Sequence, residues 1–253
     1  MANSNRKLAG EKGLYLYGVS RAAVKKGKTL KAGSPGIDGV SAVRAIACGD
    51  FLCWVSEVDA GFAQEIESNL ENLEWLALHS VRHQQVVGEV AAQTALVPAR
   101  FGTIFSGEAA LVKNVAGRSA ALKKVFDRVA DADEWGVKVF AEKKAQVKAA
   151  SARSGREYLQ QKAAQVKQRP ERNDPELQEF AEALAKVASD TAPSGKVSGT
   201  QPSLLWQATF LVQRSRRKQW DKVLSEFVSR WDGQRRIEVN GPWPPYSFVS
   251  DAG

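Results

Sequence analysis

The stretch Leu204-Leu205-Trp206-Gln207-Ala208-Thr209-Phe210-Leu211-Val212 decides how the C-terminal half of this chain folds. Its apolar, aromatic and β-branched residues predict a buried strand, and residues 191–198 predict another strand just before it. A strongly amphipathic helix is predicted next, because apolar residues recur every three or four positions: Trp220, Val223, Leu224, Phe227 and Trp231. Arg235 to Asn240 predict a last strand. This end of the chain therefore has the order strand, strand, helix, strand.

The residues before this stretch predict one more strand and then helices. Apolar residues alternate from Trp135 to Val139, which is the period of a strand. Ser154–Glu157 has the spacing of a capping box and opens a helix. Asp174–Glu176 opens the next helix with a capping Asp, a Pro at the first helical position and an acid in the first turn. The buried face of that helix is predicted to hold Leu177, Phe180, Leu184 and Val187. The complete order is βαββαβ, with extra helices in the first crossover.

The N-terminal half also mixes strands and helices. Leu14–Val19 predicts a buried strand, and the apolar runs on either side of Cys48-Gly49-Asp50 predict a hairpin. Residues 94–105 return to strand character, where Pro98 requires an edge, a bulge or a break because it cannot donate to a ladder. Between these strands the apolar spacing predicts the buried face of one amphipathic helix: Phe62, Ile66, Leu70, Leu73 and Ala77.

We therefore predict an α+β protein of two domains, the C-terminal one ferredoxin-like (βαββαβ) with extra helices, followed by a Pro/aromatic C-terminal tail. No internal repeat relates the two halves. The predicted limits are a disordered basic head at 1–12, an N-terminal α+β domain at 13–117, a helical connector at 118–133, the ferredoxin-like domain with inserted helices at 134–240 and the Pro-rich tail at 241–253.

Composition and charge exclude several classes of protein. Hydrophobic content of 43 % and charged content of 25 % are typical of a soluble globular protein, and no apolar run is long enough to span a membrane. Residues 1–7 lead into no apolar segment, so we expect no secretory signal. The formal charge of +8 is concentrated in residues 1–31, which contain eight basic groups and one acidic group. Cys48 and Cys53 are expected to be reduced, buried thiols, since two cysteines make no disulfide framework.

The sequence predicts no catalytic, cofactor-binding or metal site. It contains no Gly-rich phosphate loop, no nucleophile elbow, no acidic metal motif and no Cys/His pair with a third member. His79 and His83 have the i, i+4 spacing of a helical metal pair, but no third ligand accompanies them, so we expect surface or interface histidines. The protein is therefore predicted to be no enzyme.

The C-terminal segment Asn240-Gly241-Pro242-Trp243-Pro244-Pro245-Tyr246-Ser247-Phe248-Val249 can form neither a helix interior nor a central strand, because of its prolines. Order in this segment would require Trp243, Tyr246 and Phe248 to dock, either on their own domain or on a partner. The sequence leaves these two alternatives open.

Four segments together resemble the gas vesicle protein family GvpF/GvpL, over residues 13–249. The segments are Leu14-Tyr15-Leu16-Tyr17-Gly18, Val97-Pro98-Ala99-Arg100-Phe101-Gly102-Thr103, Glu134-Trp135-Gly136-Val137-Lys138-Val139 and Gly241-Pro242-Trp243-Pro244-Pro245-Tyr246-Ser247-Phe248, and Gly155-Arg156-Glu157-Tyr158-Leu159 supports them. The resemblance does not separate F members from L members, and it covers neither the basic head nor the insertion at 21–36.

The resemblance implies a non-enzymatic, minor gas vesicle protein that acts in assembly and nucleation. Its expected partners are the hydrophobic major shell protein, which it would keep from aggregating, and other gas vesicle accessory proteins. It would assemble in the cytoplasm and be located in the gas vesicle, with no cofactor, no nucleic acid and no membrane as partner.

An apolar shell subunit would aggregate unless a partner protein covers its apolar surface. Aromatic side chains and exposed strand edges are common means of binding such a subunit. The candidate partner-binding residues are Arg100, Phe101, Phe105, Trp243, Tyr246 and Phe248. The aromatic residues among them have an alternative, structural role. They would then pack in the core or hold the C-terminal segment against its own domain. The rival function is a nucleic-acid-binding protein with ferredoxin-like domains, although no strand carries the aromatic and basic pattern of an RNA-binding module.

Overall fold

The computed structural model describes residues 12–22, 31–59, 61–142, 174–192 and 203–249. These residues form two compact units of mixed α and β structure. One unit contains the described residues up to Asp133 together with those from Trp243 onward, and the other unit spans Glu134–Pro242.

The first unit is built on an antiparallel sheet whose central strand is β1. The strands are β1 (Gly13–Arg21), β2 (Arg44–Cys48), β3 (Phe51–Val58), β4 (Leu96–Pro98) and β5 (Ile104–Phe105). The sheet order is β2-β3-β1-β4, and β5 pairs with the same strand β1 as β4 does. The predicted hairpin is confirmed, since β2 and β3 pair across a two-residue turn in which Gly49 has a φ of 63°. The described residues of this unit also form four helices: α1 (Phe62–Ser68), α2 (Leu73–Ala91), α3 (Glu108–Gly117) and α4 (Ser119–Val129).

Helices cover this sheet by burying apolar residues. On the α1 and α2 side, the core includes Tyr15, Tyr17, Trp54, Phe62 and Val87. Residues 118–133, predicted as a connector, contain α4, whose Phe126 ring stacks on Phe51 of β3 at 5.6 Å between centroids.

The second unit contains a four-stranded sheet and two described helices. Its elements are β6 (Ala132–Ala141), α5 (Pro175–Val187), β7 (Asp190–Ala192), β8 (Leu204–Gln213), α6 (Arg217–Arg230) and β9 (Arg235–Trp243), with a 3₁₀ turn at Arg214–Arg216. The sheet order is β7-β8-β6-β9, and β7 and β8 are antiparallel.

The helices of the second unit bury the faces predicted from their spacing. Asp174 caps α5 by accepting hydrogen bonds from the backbone N–H groups of Glu176 and Leu177, as predicted. The predicted stripes of both helices lie in one core that contains Leu177, Phe180, Leu184, Val187, Trp220, Leu224, Phe227 and Trp231. Predictions for residues 143–173 and 193–202, which include the capping box at Ser154, lie outside the described residues.

The prediction of one helix from Phe62 to Ala77 was wrong. The chain forms two helices because it turns at residues 69–72, and the side chain of Asn72 starts α2 by accepting from the backbone N–H of Trp75 at 3.1 Å. Phe62 and Ile66 are buried as predicted, whereas Leu70 is 58 % exposed and Leu73 is 77 % exposed. The break changes the phase of the second helix, so its apolar residues no longer continue the buried face of the first.

A candidate partner-binding site beside the C-terminal segment

The site begins where β1 and β4 approach each other closely. Gly18 pairs with Pro98, and a Cβ atom on Gly18 would lie 2.8 Å from the Val97 carbonyl oxygen, so a larger residue does not fit without a shift. Pro98 ends β4, which agrees with the predicted break. Beyond it, the Ala99 N–H donates to the Tyr17 carbonyl at 2.9 Å, and the chain turns at Gly102, whose φ is 83°.

The turn is fixed from the inside by a hydrogen-bonded pair of aromatic residues. The Tyr15 hydroxyl accepts from the Gly102 N–H at 3.2 Å and lies 2.9 Å from Nδ1 of His83. Burial lowers the pKa of His83 to about 4, partly offset by the Ala99 carbonyl, so the ring is neutral at pH 7 and accepts the hydroxyl proton. Phe101 packs edge-on against both rings, at 6.4 Å from Tyr15 and 5.9 Å from His83. Phe101 therefore anchors the turn to the core.

The C-terminal segment docks on this same unit. Pro245, Phe248 and Val249 are buried, and a short 3₁₀ turn at Tyr246–Phe248 brings them together. The guanidinium of Arg128 lies 5.8 Å from the Phe248 ring centroid, and its Nη1 donates to the Phe248 carbonyl at 3.4 Å. Phe248, which is 1 % exposed, therefore occupies a core position.

A cavity of about 120 Å³ lies between this segment, β1, the turn after β4 and the helices α3 and α4. Its lining is mostly apolar: Leu16, Val19, Val97, Pro98, Ala99, Phe105, Val115, Leu122, Tyr246 and Val249, with Arg100, Thr103, Asn114 and Arg118 as the polar members. Arg100 and Asn114 are exposed, so solvent reaches the cavity on their side.

Two arginines give the cavity its charge. Arg118 is half-buried, burial lowers the pKa of its guanidinium, and its Nη1 donates to Oδ1 of Asn114 at 3.3 Å. It stays charged at neutral pH, because guanidinium groups do not deprotonate in proteins, and Arg100 is the second guanidinium at the cavity. No acidic side chain is among the described residues that line the cavity. The arrangement suits an apolar group that carries, or lies next to, a negative charge.

The structure brings together half of the predicted site residues. Arg100, Phe105 and Tyr246 line the cavity, while Phe101 and Phe248 face the core. Trp243, the last residue of β9, is 49 % exposed. Asn114 was missed because the sequence predicted no helix at Glu108–Gly117, and Arg118 and Leu122 were missed because they lie in the stretch predicted only as a helical connector.

The two histidines are core residues, so the expectation of a surface position was wrong. His79 is 7 % and His83 is 2 % exposed. The His79 ring stacks on Trp75 at 3.8 Å between centroids and donates from Nδ1 to the Trp75 carbonyl at 2.8 Å. Among the described residues, no three His, Cys, Asp or Glu side chains come together to hold a metal ion.

The two cysteines are buried, free thiols, as predicted, and the Cys53 thiol donates to Cys48 Sγ at 3.1 Å across the β2–β3 hairpin. Burial raises the pKa of the Cys53 thiol well above its ordinary value, which makes it a poor nucleophile. Within the part of the chain that the structure describes, no helix is both long and apolar enough to cross a membrane.

The family model for the gas vesicle synthesis protein GvpL/GvpF matches residues 13–250 of this chain. The chain belongs to the GvpL/GvpF family. The family resemblance that the four sequence segments predicted is therefore confirmed, and with it a role in gas vesicles.

Individual GvpL/GvpF proteins agree with this assignment. The chain is 29 % identical to gas vesicle protein L of Streptomyces sp., over 94 % of this chain and 93 % of the relative. It is 27 % identical to gas vesicle protein F of the same organism, over 93 % of this chain and 98 % of the relative. The crystal structure of GvpF from Anabaena sp. matches 94 % of this chain and 96 % of its own, with a TM-score of 0.66 at 22 % identity. The crystal structure of GvpF from Microcystis aeruginosa matches 94 % of this chain and 99 % of its own, with a TM-score of 0.63 at 20 % identity. At that identity the structural likeness shows the shared α+β fold with antiparallel sheets.

Proposed function

We propose that this chain is a non-enzymatic accessory protein of gas vesicle assembly that binds the hydrophobic major shell protein and keeps it from aggregating before it enters the shell. Membership of the GvpL/GvpF family supports the gas vesicle role. Assembly in the cytoplasm, action at nucleation and contacts with other accessory proteins are parts of the same proposal. The predicted domain limits and a ferredoxin-like second unit also belong to this proposal. The sheet order β7-β8-β6-β9 supports the ferredoxin-like fold.

The observation that carries the proposal is the cavity beside the C-terminal segment. An apolar side chain from a shell subunit gains free energy by leaving water, at roughly 25 cal/mol per Å² of apolar surface buried. The cavity offers such a lining from Phe105, Leu122 and Tyr246, while Arg100 and Arg118 select a segment with an acidic residue beside its apolar one. A partner bound in this way covers the surface through which shell subunits would otherwise aggregate.

The test is co-expression of this chain with the major shell protein of its host. We expect soluble shell protein that co-purifies at low salt and is partly retained at high salt, because only the arginine contribution is screened. Asn114→Trp should block the cavity from an exposed helical position, and Asn114→Ala is the matched control that leaves it open. We expect the Trp variant to lose co-purification and the Ala variant to keep it, with equal thermal stability.

Two other results decide between this proposal and its alternatives. If Trp243→Ala abolishes co-purification and Asn114→Trp does not, the contact lies at the exposed Trp243 and the cavity is not the binding site. No co-purification at any salt concentration, together with tight and salt-sensitive RNA binding, would overturn the assembly function in favour of nucleic-acid binding. Truncation at Gly241 is not a useful test, because it would remove the buried residues Phe248 and Val249.

A further inference from the structure

The outward side of α2 carries an apolar surface that the described residues do not cover. Leu73, Leu78 and Val81 are 77 %, 51 % and 55 % exposed, and Leu70, in the turn before the helix, is 58 % exposed. Ala77 is exposed as well. Single exposed apolar residues are ordinary, but a group of five on one short stretch is the pattern of a contact surface. We call these five residues the α2 outer face.

The geometry of α2 shows that this face is separate from the core. At about 100° per residue, Leu73, Ala77 and Val81 lie within an arc of about 80°, and Leu78 extends it on one side. The buried residues of the same helix point the other way: His79, His83, Val86, Val87 and Val90. The helix therefore has two apolar stripes, and its own unit uses one of them.

The charge around the first half of the α2 outer face is negative, and the first basic residue after it, Arg82, donates from Nη1 to the Ile37 carbonyl at 3.3 Å. Residues 61–81 contain Glu65, Glu67, Glu71 and Glu74 and no Lys or Arg, in a chain whose formal charge is +8. Glu67, Glu71 and Glu74 are exposed, and none forms an ion pair within the described residues. Glu74 lies in the first turn of α2, where its charge also favours the helix dipole. The other two acids have no such role in α2, since they precede it.

We propose that the α2 outer face binds a basic amphipathic helix of a partner protein. The three residues at i, i+4 and i+8 form a ridge about 12 Å long, which matches two to three turns of a second helix. Apolar residues of the partner cover this ridge, and Lys or Arg residues flanking them face Glu67, Glu71 and Glu74. These three glutamates disfavour binding of an acidic partner or an anionic membrane surface. This site is independent of the cavity proposed for the shell protein.

The proposal is tested with a fluorescein-labelled Leu/Lys peptide of about 18 residues, whose leucines lie on one helical face. A peptide of the same composition with scrambled order and a Leu/Glu peptide of the same pattern are the controls. Fluorescence anisotropy should show binding of the Leu/Lys peptide to the full chain, with a Kd at least about tenfold lower than that of either control.

Neutral substitutions identify the face without adding charge. Leu73→Gln with Val81→Gln should weaken binding of the Leu/Lys peptide by about tenfold or more. The matched control is Val228→Gln on α6, a valine whose exposure of 51 % is close to the 55 % of Val81, and it should change the Kd by less than about twofold. Glu71→Gln with Glu74→Gln should weaken binding at low salt and reduce its salt dependence. All of these positions are exposed, so we expect unchanged circular dichroism.

Three results would overturn the proposal. One is equal binding by the wild-type chain and the Leu73→Gln, Val81→Gln variant. Another is equal binding of the ordered and scrambled Leu/Lys peptides, which would show attraction by charge alone. The third is a change of oligomeric state, in which sedimentation equilibrium shows a dimer for the wild-type chain and a monomer for the Leu73→Gln, Val81→Gln variant. The face would then bind a second copy of this chain.

Discussion

Helices α6 and α2 carry similar apolar spacing but use it differently. In α6, Trp220, Leu224 and Phe227 are all buried in the core of the second unit, and the opposite side of the helix is largely polar. In α2, the buried stripe contains two histidines and three valines, while leucines stand on the exposed side. The difference shows that helical periodicity identifies an apolar face but does not say whether the core or a partner covers it. A helix with more apolar surface than its core uses is a candidate for binding.

The comparison can be tested first by removing one side chain from each helical region. Phe227→Ala removes a buried ring of α6 that contacts Phe180 and Trp231, so it should lower the free energy of unfolding by about 3–5 kcal/mol. Leu73→Ala on α2 should change it by less than about 0.5 kcal/mol, because Leu73 is 77 % exposed. Urea unfolding followed by circular dichroism measures both. A loss above about 2 kcal/mol for Leu73→Ala would place that leucine in a core.

The second test concerns the inward side of α2, through the pH dependence of stability. Burial lowers the pKa of His83 to about 4 from the ordinary value of 6.5. Below pH 6.5 the unfolded chain takes up a proton on His83 while the folded chain does not. The stabilisation is therefore complete above pH 6.5 and is lost as the pH falls towards 4, with a total of about 3 kcal/mol.

His83→Gln should remove the part of the pH dependence of the free energy of unfolding that comes from His83. Urea unfolding of the wild type and the variant at a series of pH values between about 7 and 4 should give curves that converge as the pH falls. Parallel curves would mean that His83 titrates alike in the folded and unfolded chain, and that the ring is not buried as a neutral base.

A small effect of the opposite sign, a gain in stability, is expected at Gly88 on the outward side of α2. A Cβ atom at this position would have no neighbouring atom within 4 Å, so there is space for a methyl group. Because Gly is a poor helix former, Gly88→Ala should raise the free energy of unfolding by about 0.5–1 kcal/mol. Gly18→Ala is the opposite control, since its Cβ would lie 2.8 Å from the Val97 carbonyl oxygen and should destabilise the sheet. A stabilising Gly18→Ala would contradict the close approach of β1 and β4.

Much of the fold follows from local sequence signals. The Asp174-Pro175-Glu176 cap, the Gly49 hairpin and the stripes of α5 and α6 were predicted because each depends on residues close together in the chain. The break at residues 69–72 was not predicted, since the apolar spacing continues through it and only the Asn72 cap reveals it. Local signals carry no information about which of two apolar stripes the core will bury.

The candidate site was only partly predictable for a related reason. Arg100 and Tyr246 were chosen from their motifs, but Asn114 and Arg118 join them only through the packing of α3 and α4 on the sheet. Phe248 was a candidate contact residue and lies in the core instead, because the C-terminal segment docks on the first unit. Contacts between residues more than one hundred positions apart are fixed by the tertiary fold, which no short motif encodes.

A role of the cavity beside the C-terminal segment in gas vesicle assembly is tested most directly in the host. A strain lacking this protein would be complemented with the wild type, Asn114→Trp or Asn114→Ala at equal abundance, and gas vesicles per cell would be counted by electron microscopy. We expect that the wild type and Asn114→Ala restore vesicles and that Asn114→Trp does not. Equal vesicle numbers with all three chains would contradict it.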